Sequence, residues 1–157
     1  MKKLDVDINI NSCAEEELNE QDRMLVERAM KATDNSYSPY SHFRVGAALL
    51  LDDGTVITGA NQENAAFSVT ICAERSAIFA AQAQHPELPI RAIAIAARND
   101  EGYTNNPISP CGSCRQAMVE IENRYGQPLH ILLYGKGAVY VMDSVKNIMP
   151  LSFQELY

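Results

Sequence analysis

The sequence has few basic residues and lacks the long apolar segments of a membrane protein. Its 157 residues contain 13 Lys and Arg against 20 Asp and Glu, which gives a formal net charge of -7. A binding site for a nucleic-acid backbone or an anionic membrane needs a basic face, so this balance argues against both partners. No apolar run approaches the roughly 18 residues that indicate a transmembrane helix. A small neutral ligand fits this composition better.

The first residues also lack the apolar stretch of a secretory signal peptide. Charged residues are spread over positions 1–7, where that stretch would have to begin. We therefore expect a cytoplasmic protein, in which thiols stay reduced. The four cysteines are then expected to be metal ligands or catalytic groups before disulfides. His42, His85 and His130 have no ligand spacing to one another, and we interpret them as surface or core residues.

Three of the cysteines have the spacing of a catalytic zinc site. Glu74 lies two residues after Cys72, and Pro110 directly precedes the pair Cys111 and Cys114. Zinc deaminases share this pattern, with a glutamate two residues after the first ligand and a P-C-x-x-C segment downstream. Three protein ligands leave one tetrahedral position open for water, which distinguishes a catalytic zinc from a closed structural one. The sequence therefore predicts one catalytic zinc per chain.

The residues around the three cysteines suit this chemistry. Cys111 and Cys114 lie one helical turn apart on one face, and Cys72 is expected to open another helix. Helix N-termini favour thiolates by lowering thiol pKa values. Glu74, in a first turn, can reach the metal and move protons between water and substrate. Arg75 is well placed to donate hydrogen bonds to the thiolates, and Arg115 is a second candidate.

Other interpretations of the cysteines remain open at this point. A closed structural zinc needs a fourth ligand, and Cys13 is distant in sequence but not excluded in space. A redox pair of Cys111 and Cys114 leaves the segment around Cys72 unexplained. Three inert buried cysteines are a further possibility. A catalytic zinc accounts for more of the pattern than each of these.

Hydrophobic periodicity predicts strands that alternate with helices. Strict alternation over 4–10 predicts an N-terminal strand. A helix is expected over 19–33 with Asn19 as N-cap, unless a capping box of Ser12 and Glu15 starts it earlier. Two more helices are predicted from Cys72 to before Pro86 and over 111–124. Further strands are predicted at 43–51, 55–60, 91–97, 129–134 and 138–142. An α/β sandwich is the simplest arrangement of these elements.

Five short segments together resemble the cytidine deaminase family, the small zinc enzymes of pyrimidine salvage. In chain order they are YSHFRVGAA (40–48), NQENA (61–65), ICAER (71–75), SPCGSCRQ (109–116) and MPLSF (149–153). The resemblance extends over about 19–153. It implies a three-layer α/β/α sandwich around a mixed five-stranded sheet, with a possible extra N-terminal strand. Residues 19–157 would form the single deaminase-like domain, and 1–18 an N-terminal extension.

The resemblance also implies roles for substrate-binding residues. Asn61 and Glu63 correspond to the pair that hydrogen-bonds the ribose 3′-hydroxyl. Phe43 corresponds to an aromatic residue that packs against the pyrimidine or the sugar. Phe153 corresponds to a C-terminal aromatic residue that stacks on the base in a neighbouring subunit. Phe67 stands where many relatives carry Tyr, so a hydroxyl contact made there is absent.

The remaining roles concern the base and the reaction. The backbone N–H of Ala73 and the carbonyl of Ser109 are expected to contact the edge of the base. Glu74 would transfer the protons. The family's reaction is zinc-dependent hydrolytic deamination of cytidine and 2′-deoxycytidine to uridine and 2′-deoxyuridine plus ammonia. Relatives of this length with three zinc-binding cysteines are usually homotetramers with active sites at subunit interfaces.

Related activities provide the main alternatives. A deaminase of antibiotic nucleosides would share the zinc core, but Phe43, Asn61 and Glu63 favour plain nucleosides. A polynucleotide deaminase would need a basic groove, whereas this chain is acidic. A non-catalytic zinc or redox protein would not require Glu74 beside the first ligand.

Overall fold

Three α-helices and seven β-strands form within residues 1–154, the part of the chain that the computed structural model describes. The strands are β1 (Asn11–Cys13), β2 (Arg44–Leu51), β3 (Val56–Ala60), β4 (Ile90–Asn99), β5 (Gly102–Tyr103), β6 (His130–Tyr134) and β7 (Val139–Met142). The helices are α1 (Glu20–Ala32), α2 (Ala73–Gln84) and α3 (Gly112–Tyr125). None of these helices has the length and apolar character needed to cross a membrane.

All strands belong to one mixed, open sheet. Its order is β1-β7-β6-β4-β2-β3, and β5 pairs with β4 beside this path. The β4–β6 pair is parallel, and the other pairs are antiparallel. The predicted α/β fold with a mixed sheet is therefore confirmed. The sheet has seven strands rather than five because β1 and the two-residue β5 join the five predicted ones.

The helices cover both faces of the sheet. Leu49 and Ile93, which are register partners, lie in the core cluster that also contains residues of α2 and α3. Their neighbours Ala48 and Ala94, also register partners, lie in the cluster that contains residues of α1. Successive side chains of a strand point to opposite faces, so β2 and β4 are buried on both sides. The predicted three layers follow from this packing.

The predicted strand over 4–10 is wrong. The N-terminal strand is β1, which pairs with β7 from Asn11↔Val141 to Cys13↔Val139. This ladder uses three of the four residues of β7 and ends at Asn11. The alternating apolar residues before it are exposed, namely Leu4, Val6, Ile8 and Ile10. Their alternation satisfies the pattern of a half-buried strand, but within residues 1–154 the core clusters do not include them.

Local signals placed the ends of the helices correctly. The side chain of Asn19 caps α1 by accepting a hydrogen bond from the N–H of Asp22 at 2.9 Å. The earlier capping box is not the start of this helix, because Glu15–Glu17 form a separate 3₁₀ turn. Helix α3 ends at Gly126, whose φ of 65° is in the left-handed region that glycine adopts without strain.

Gly59 allows α2 to pack directly on β3. A Cβ atom at this position would lie 2.6 Å from the carbonyl oxygen of Ala73 and 2.6 Å from the nitrogen of Ala77. Both contacts are backbone atoms, so relief requires movement of α2. We expect Gly59→Ala to lower the free energy of unfolding by about 1–3 kcal/mol, the usual cost of overpacking. Urea unfolding of both proteins measures this difference.

Gly112 provides the matched control for this prediction. It is the first residue of α3, and apart from its chain neighbours and the backbone of its own helix no heavy atom of the described chain is within 4 Å of a Cβ built there. Gly112→Ala is expected to leave stability unchanged or to raise it by about 0.4–1 kcal/mol. Equal urea midpoints for Gly59→Ala and the unmodified protein would contradict the close approach of α2 to β3.

Candidate active site

Both cysteine motifs stand at the beginning of a helix. Cys72 is the N-cap residue of α2, and Cys111 is the N-cap residue of α3. Cys114 follows in the first turn of α3. The first backbone N–H groups of a helix lack intrahelical partners and carry the positive end of the helix dipole. The two helices therefore place three sulfur atoms where negative charge is stabilised.

The three sulfur atoms are close enough to share one metal ion. The Sγ atoms of Cys72 and Cys111 are 3.7 Å apart, and those of Cys111 and Cys114 are 3.5 Å apart. All three sulfur atoms lie within 4.8 Å of one another. A tetrahedral zinc with Zn–S bonds of about 2.3 Å implies sulfur separations of roughly 3.8 Å. The observed spacing is close to that value.

The shifted pKa values of two of these thiols, Cys72 and Cys114, favour binding of a cation. Hydrogen bonds from Cys114 and Arg75 lower the pKa of Cys72 to about 5. The contact with Cys72, together with burial, raises the pKa of Cys114 above its ordinary value. Without a metal, one thiolate at Cys72 is thus stabilised at the expense of its neighbour. A divalent cation resolves the conflict by stabilising all three thiolates, and the cluster fits one zinc per chain.

The fourth cysteine is not part of the cluster. Cys13 lies on β1, where its Sγ donates to the carbonyl oxygen of Val139 at 3.8 Å. Within residues 1–154, the cluster of possible metal ligands contains Cys72, Cys111 and Cys114 and no fourth group. A closed structural zinc site that uses Cys13 is therefore excluded. All four cysteines are free thiols.

Glu74 is a buried carboxyl group in the first turn of α2. Only 5% of its surface is exposed. Burial raises its pKa, and the negative charge of Cys72 acts in the same direction. A carboxyl group that is not held firmly in its ionised form suits alternate acceptance and donation of protons near neutral pH. The burial of Glu74 is thus consistent with its predicted chemistry.

The two arginines next to the cysteines differ in their contacts. The Nη2 atom of Arg75 donates to Cys72 Sγ at 3.8 Å. Arg115 instead donates to the carbonyl oxygens of Pro110 and Ile148, each at 2.8 Å, and to Ser109 Oγ at 2.9 Å. Arg75 therefore supports a thiolate, whereas Arg115 fixes the loop before α3. The sequence analysis placed Arg75 first and Arg115 second as donors to the thiolates, and the second of these assignments is wrong.

A cavity of about 210 Å³ lies in front of the cysteines. Predicted site residues from separate segments line it, namely Asn61, Glu63, Cys72, Ala73, Glu74, Ser109 and Cys111. A second cavity of about 350 Å³ shares Glu63 and Thr70 with the first and is flanked by Tyr40 and Phe67. The fold thus places two adjoining cavities beside the metal cluster, with room for a small molecule.

Asn61 and Glu63 are held by the loop that precedes β2. The Oδ1 atom of Asn61 accepts from Ser36 Oγ at 2.6 Å and from the N–H of Val45 at 2.8 Å. Its Nδ2 atom donates to the carbonyl oxygen of Phe43 at 2.9 Å. Glu63 accepts from the backbone of the same loop. Both side chains are therefore fixed in place before a ligand arrives.

The three predicted aromatic residues have different surroundings. Phe43 is half-buried just before β2, and its backbone joins the Asn61 network. Phe67 and Phe153 are 77% and 83% exposed. The ring of Phe67 makes an edge contact with Tyr40, with 6.1 Å between the ring centroids. The carbonyl oxygen of Phe153 accepts from Gln116 Nε2 at 2.8 Å, which ties the C-terminal segment to α3.

Several cavity residues were not identified from the sequence. Val45, Thr70, Ile71 and Ile108 line the smaller cavity, and Ser41 contacts Glu63. The apolar members resemble ordinary core residues, because β2 and the segments around the cysteines are apolar in any case. Ser41 gave one signal, since it lies inside the segment 40–48 that carries the family resemblance. Its partner Glu63 is 22 residues away, so spacing alone does not connect them.

Comparison with known proteins gives one consistent result. A family model described as "Cytidine and deoxycytidylate deaminase zinc-binding region" matches residues 19–125. The chain is 48% identical over 99 residues to the cytidine deaminase of Halalkalibacterium halodurans, and the alignment covers 63% of this chain and 70% of that protein. It is 46% identical over 99 residues to the cytidine deaminase of Sporosarcina psychrophila, covering 63% and 68%.

The fold comparison agrees with the sequence comparison. The crystal structure of cytidine deaminase from Burkholderia pseudomallei superposes with a TM-score of 0.72 and 40% identity. The superposition covers 83% of this chain and 97% of that chain. The segment matched by the family model contains Cys72, Glu74 and Cys111, which line the cavity, and Cys114, the third member of the cysteine cluster.

Proposed function

Because the chain belongs to the cytidine and deoxycytidylate deaminase family, we propose that it hydrolyses cytidine to uridine and ammonia. One observation carries this proposal above the others. The buried carboxyl group of Glu74 lines the same small cavity as Cys72 and Cys111, two members of the three-thiol cluster. A metal that polarises water and a carboxyl group that moves protons are the two groups that hydrolytic deamination requires.

In the proposed mechanism Glu74 moves both protons of one water molecule. Zinc held by Cys72, Cys111 and Cys114 would polarise this water for attack on C4 of the base. The carboxylate of Glu74 accepts the first proton and delivers it to ring N3, which makes C4 more electrophilic. It then transfers the second proton to the amino group, which leaves as ammonia. The product keeps the proton on N3 and the oxygen on C4, which is uridine.

The proposed substrate contacts come from the walls of the cavity and its rim. Asn61 and Glu63 would bind the sugar hydroxyl, and Arg75 would moderate the negative charge of the cluster. The other proposed contacts are the N–H of Ala73, the carbonyl of Ser109, and the rings of Phe43 and Phe153. Support comes from the cavity lining for Asn61, Glu63, Ala73 and Ser109.

We extend the proposal to 2′-deoxycytidine and to a role in pyrimidine salvage. Asn61 and Glu63 are assigned to the 3′-hydroxyl, which ribose and deoxyribose both carry. A polar pair of this kind discriminates nucleosides from free bases, because buried polar groups without partners are costly. Discrimination at the 2′-position has no corresponding assignment among these residues.

We further propose a homotetramer with active sites at subunit interfaces. The exposed rings of Phe67 and Tyr40, which are in edge contact, support it, since clustered exposed apolar residues mark interaction surfaces. Residues 19–157 would form the catalytic domain and 1–18 the extension, whose last part supplies β1; residues 155–157 of this domain lie outside the described residues. A cytoplasmic location suits thiols that must stay reduced to bind metal.

The purified protein is expected to convert cytidine and to depend on its metal. The formation of uridine is measured by the loss of ultraviolet absorbance. Cytosine, which lacks the sugar, is the comparison substrate. We expect turnover of cytidine and 2′-deoxycytidine, little turnover of cytosine, and loss of activity after treatment with a zinc chelator. Addition of zinc should restore the activity, because the chelator removes only the metal bound by the thiols and the metal can bind them again.

Other results of this assay point to particular alternatives. One zinc per chain without turnover of cytidine would keep the deaminase core and direct the search to modified nucleosides. Turnover that persists in chelator after verified removal of zinc would overturn the proposed mechanism. Absence of zinc from freshly purified, reduced protein would overturn the assignment of the metal cluster.

A further inference from the structure

A turn before β2 encloses the carboxylate of Glu63. The hydroxyl group of Ser41 donates to Glu63 Oε1. The backbone N–H groups of Tyr40 and Ser41 both donate to Glu63 Oε2, at 2.9 Å and 3.3 Å. Ser41 Oγ also accepts from the N–H of Phe43 at 3.1 Å. One hydroxyl group therefore links the carboxylate to the residue directly before strand β2.

The two oxygens of Glu63 are used unequally. Oε2 receives two hydrogen bonds, which matches the capacity of a carboxylate oxygen with two lone pairs. Oε1 receives one, from Ser41, and so retains a position for a second donor. Since Glu63 lines both the cavity at the cysteines and the adjoining one, Oε1 is the oxygen available to a ligand.

The backbone of the turn is strained in a way that keeps Ser41 in this position. His42 has a φ of 57°, a left-handed value that residues other than glycine adopt at a cost. Its N–H donates to the carbonyl oxygen of Ser38 at 3.0 Å, which closes the turn. Such conformations persist where surrounding contacts overdetermine them. Here the contacts are those that direct three donors at one carboxylate.

We propose that Ser41 is a positioning residue that aims Glu63 Oε1 at a hydroxyl group of the substrate sugar. This inference rests on the proposed function, because it needs a nucleoside in the cavity. The hydrogen bond from Ser41 also lowers the pKa of Glu63, which keeps the carboxylate ionised as an acceptor. Ser41 lines the adjoining cavity and not the one at the cysteines, so its effect is expected on substrate affinity rather than on the chemical step.

Steady-state kinetics of the zinc-loaded protein test the assignment. Ser41→Ala is expected to raise KM for cytidine about tenfold, the loss of one hydrogen bond to a charged group, with kcat nearly unchanged. Ser41→Thr, which keeps the hydroxyl group, should recover most of the affinity. Ser12→Ala, in the exposed edge strand β1, is the control and should match the unmodified protein. The substrate 2′,3′-dideoxycytidine, which lacks both ring hydroxyl groups, should show little difference between Ser41→Ala and the unmodified protein.

A double-mutant cycle distinguishes positioning from general damage to the turn. If Ser41 acts through Glu63, Ser41→Ala should add almost nothing to the KM of Glu63→Gln. An unchanged KM in Ser41→Ala, or a fully additive double variant, would overturn the assignment while leaving cytidine deamination intact. Failure of the unmodified protein to bind or deaminate cytidine would instead overturn the proposed function, and the sugar contact with it.

Discussion

Glu74→Gln is expected to abolish deamination while leaving the metal cluster loaded. The amide is nearly the same size as the carboxyl group, so the buried position should accept it without a change in packing. The amide accepts no proton, however, and both proposed proton transfers depend on this one side chain. Loss of general acid–base catalysis typically costs 10²–10⁴-fold, and a group that acts twice is expected at or beyond the upper end, about 10⁴-fold in kcat.

Three measurements make this prediction specific. The zinc content of Glu74→Gln should stay at one per chain, and its urea midpoint should stay close to that of the unmodified protein. Glu27→Gln, which changes an exposed glutamate of α1, is the matched control and should retain full activity. Substantial turnover by Glu74→Gln with zinc bound would rule out Glu74 as the proton carrier. Loss of zinc from this variant would assign it a role in holding the cluster instead.

The parts of the fold that the sequence predicted correctly depend on local chemistry. Asn19 at the start of α1 and Gly126 at the end of α3 act through hydrogen bonds and dihedral angles within one turn. The five principal strands are continuous apolar runs with a turn between the first two, at Gly54 with a φ of 88°. The metal cluster was predictable for the same reason, since Cys72 and Cys111 each open a helix.

The features that the sequence did not predict depend on contacts between distant segments. The alternation over 4–10 contained no information about which N-terminal residues would pair with β7. The residues that pair are Asn11–Cys13. The roles of Arg115 and Ser41 likewise depend on partners 33 and 22 residues away, at Ile148 and Glu63. Side-chain contacts across such distances leave no periodicity in the sequence.

These distant contacts also explain why the site is rigid before a ligand binds. Helix α2 is fixed by close backbone packing at Gly59, and the loop that carries Ser109 is fixed by Arg115. Asn61 is fixed by hydrogen bonds to three partners. Catalysis by positioned groups requires this kind of preorganisation, because reacting atoms must be aligned without further ordering. Residues remote from the chemistry are thus part of the site's geometry.

Cys114→Ser is expected to remove zinc from the protein. Cys114 is fully buried, and its sulfur lies 3.5 Å from that of Cys111. A serine hydroxyl group at this position does not supply the thiolate that the site uses, and two cysteines do not make a stable zinc site. Loss of a hydrogen-bonding partner around a zinc ligand already costs 10–100-fold in affinity, so loss of a ligand itself is expected to cost at least about 100-fold. Activity should fall with the zinc content.

Cys114→Ser should also remove the contribution of bound zinc to the free energy of unfolding. A metal that binds only the folded chain stabilises it, so the unmodified protein should unfold at a higher urea concentration with zinc than with chelator. Cys114→Ser should unfold at the same concentration in both conditions. Cys13→Ser is the control, because Cys13 lies on β1 and contacts Val139, and it should keep one zinc and full activity. A Cys114→Ser variant that retained one zinc per chain after dialysis would contradict the three-cysteine site. Loss of zinc from Cys13→Ser would also contradict it, because Cys13 would then be a fourth zinc ligand and the site would be a closed one.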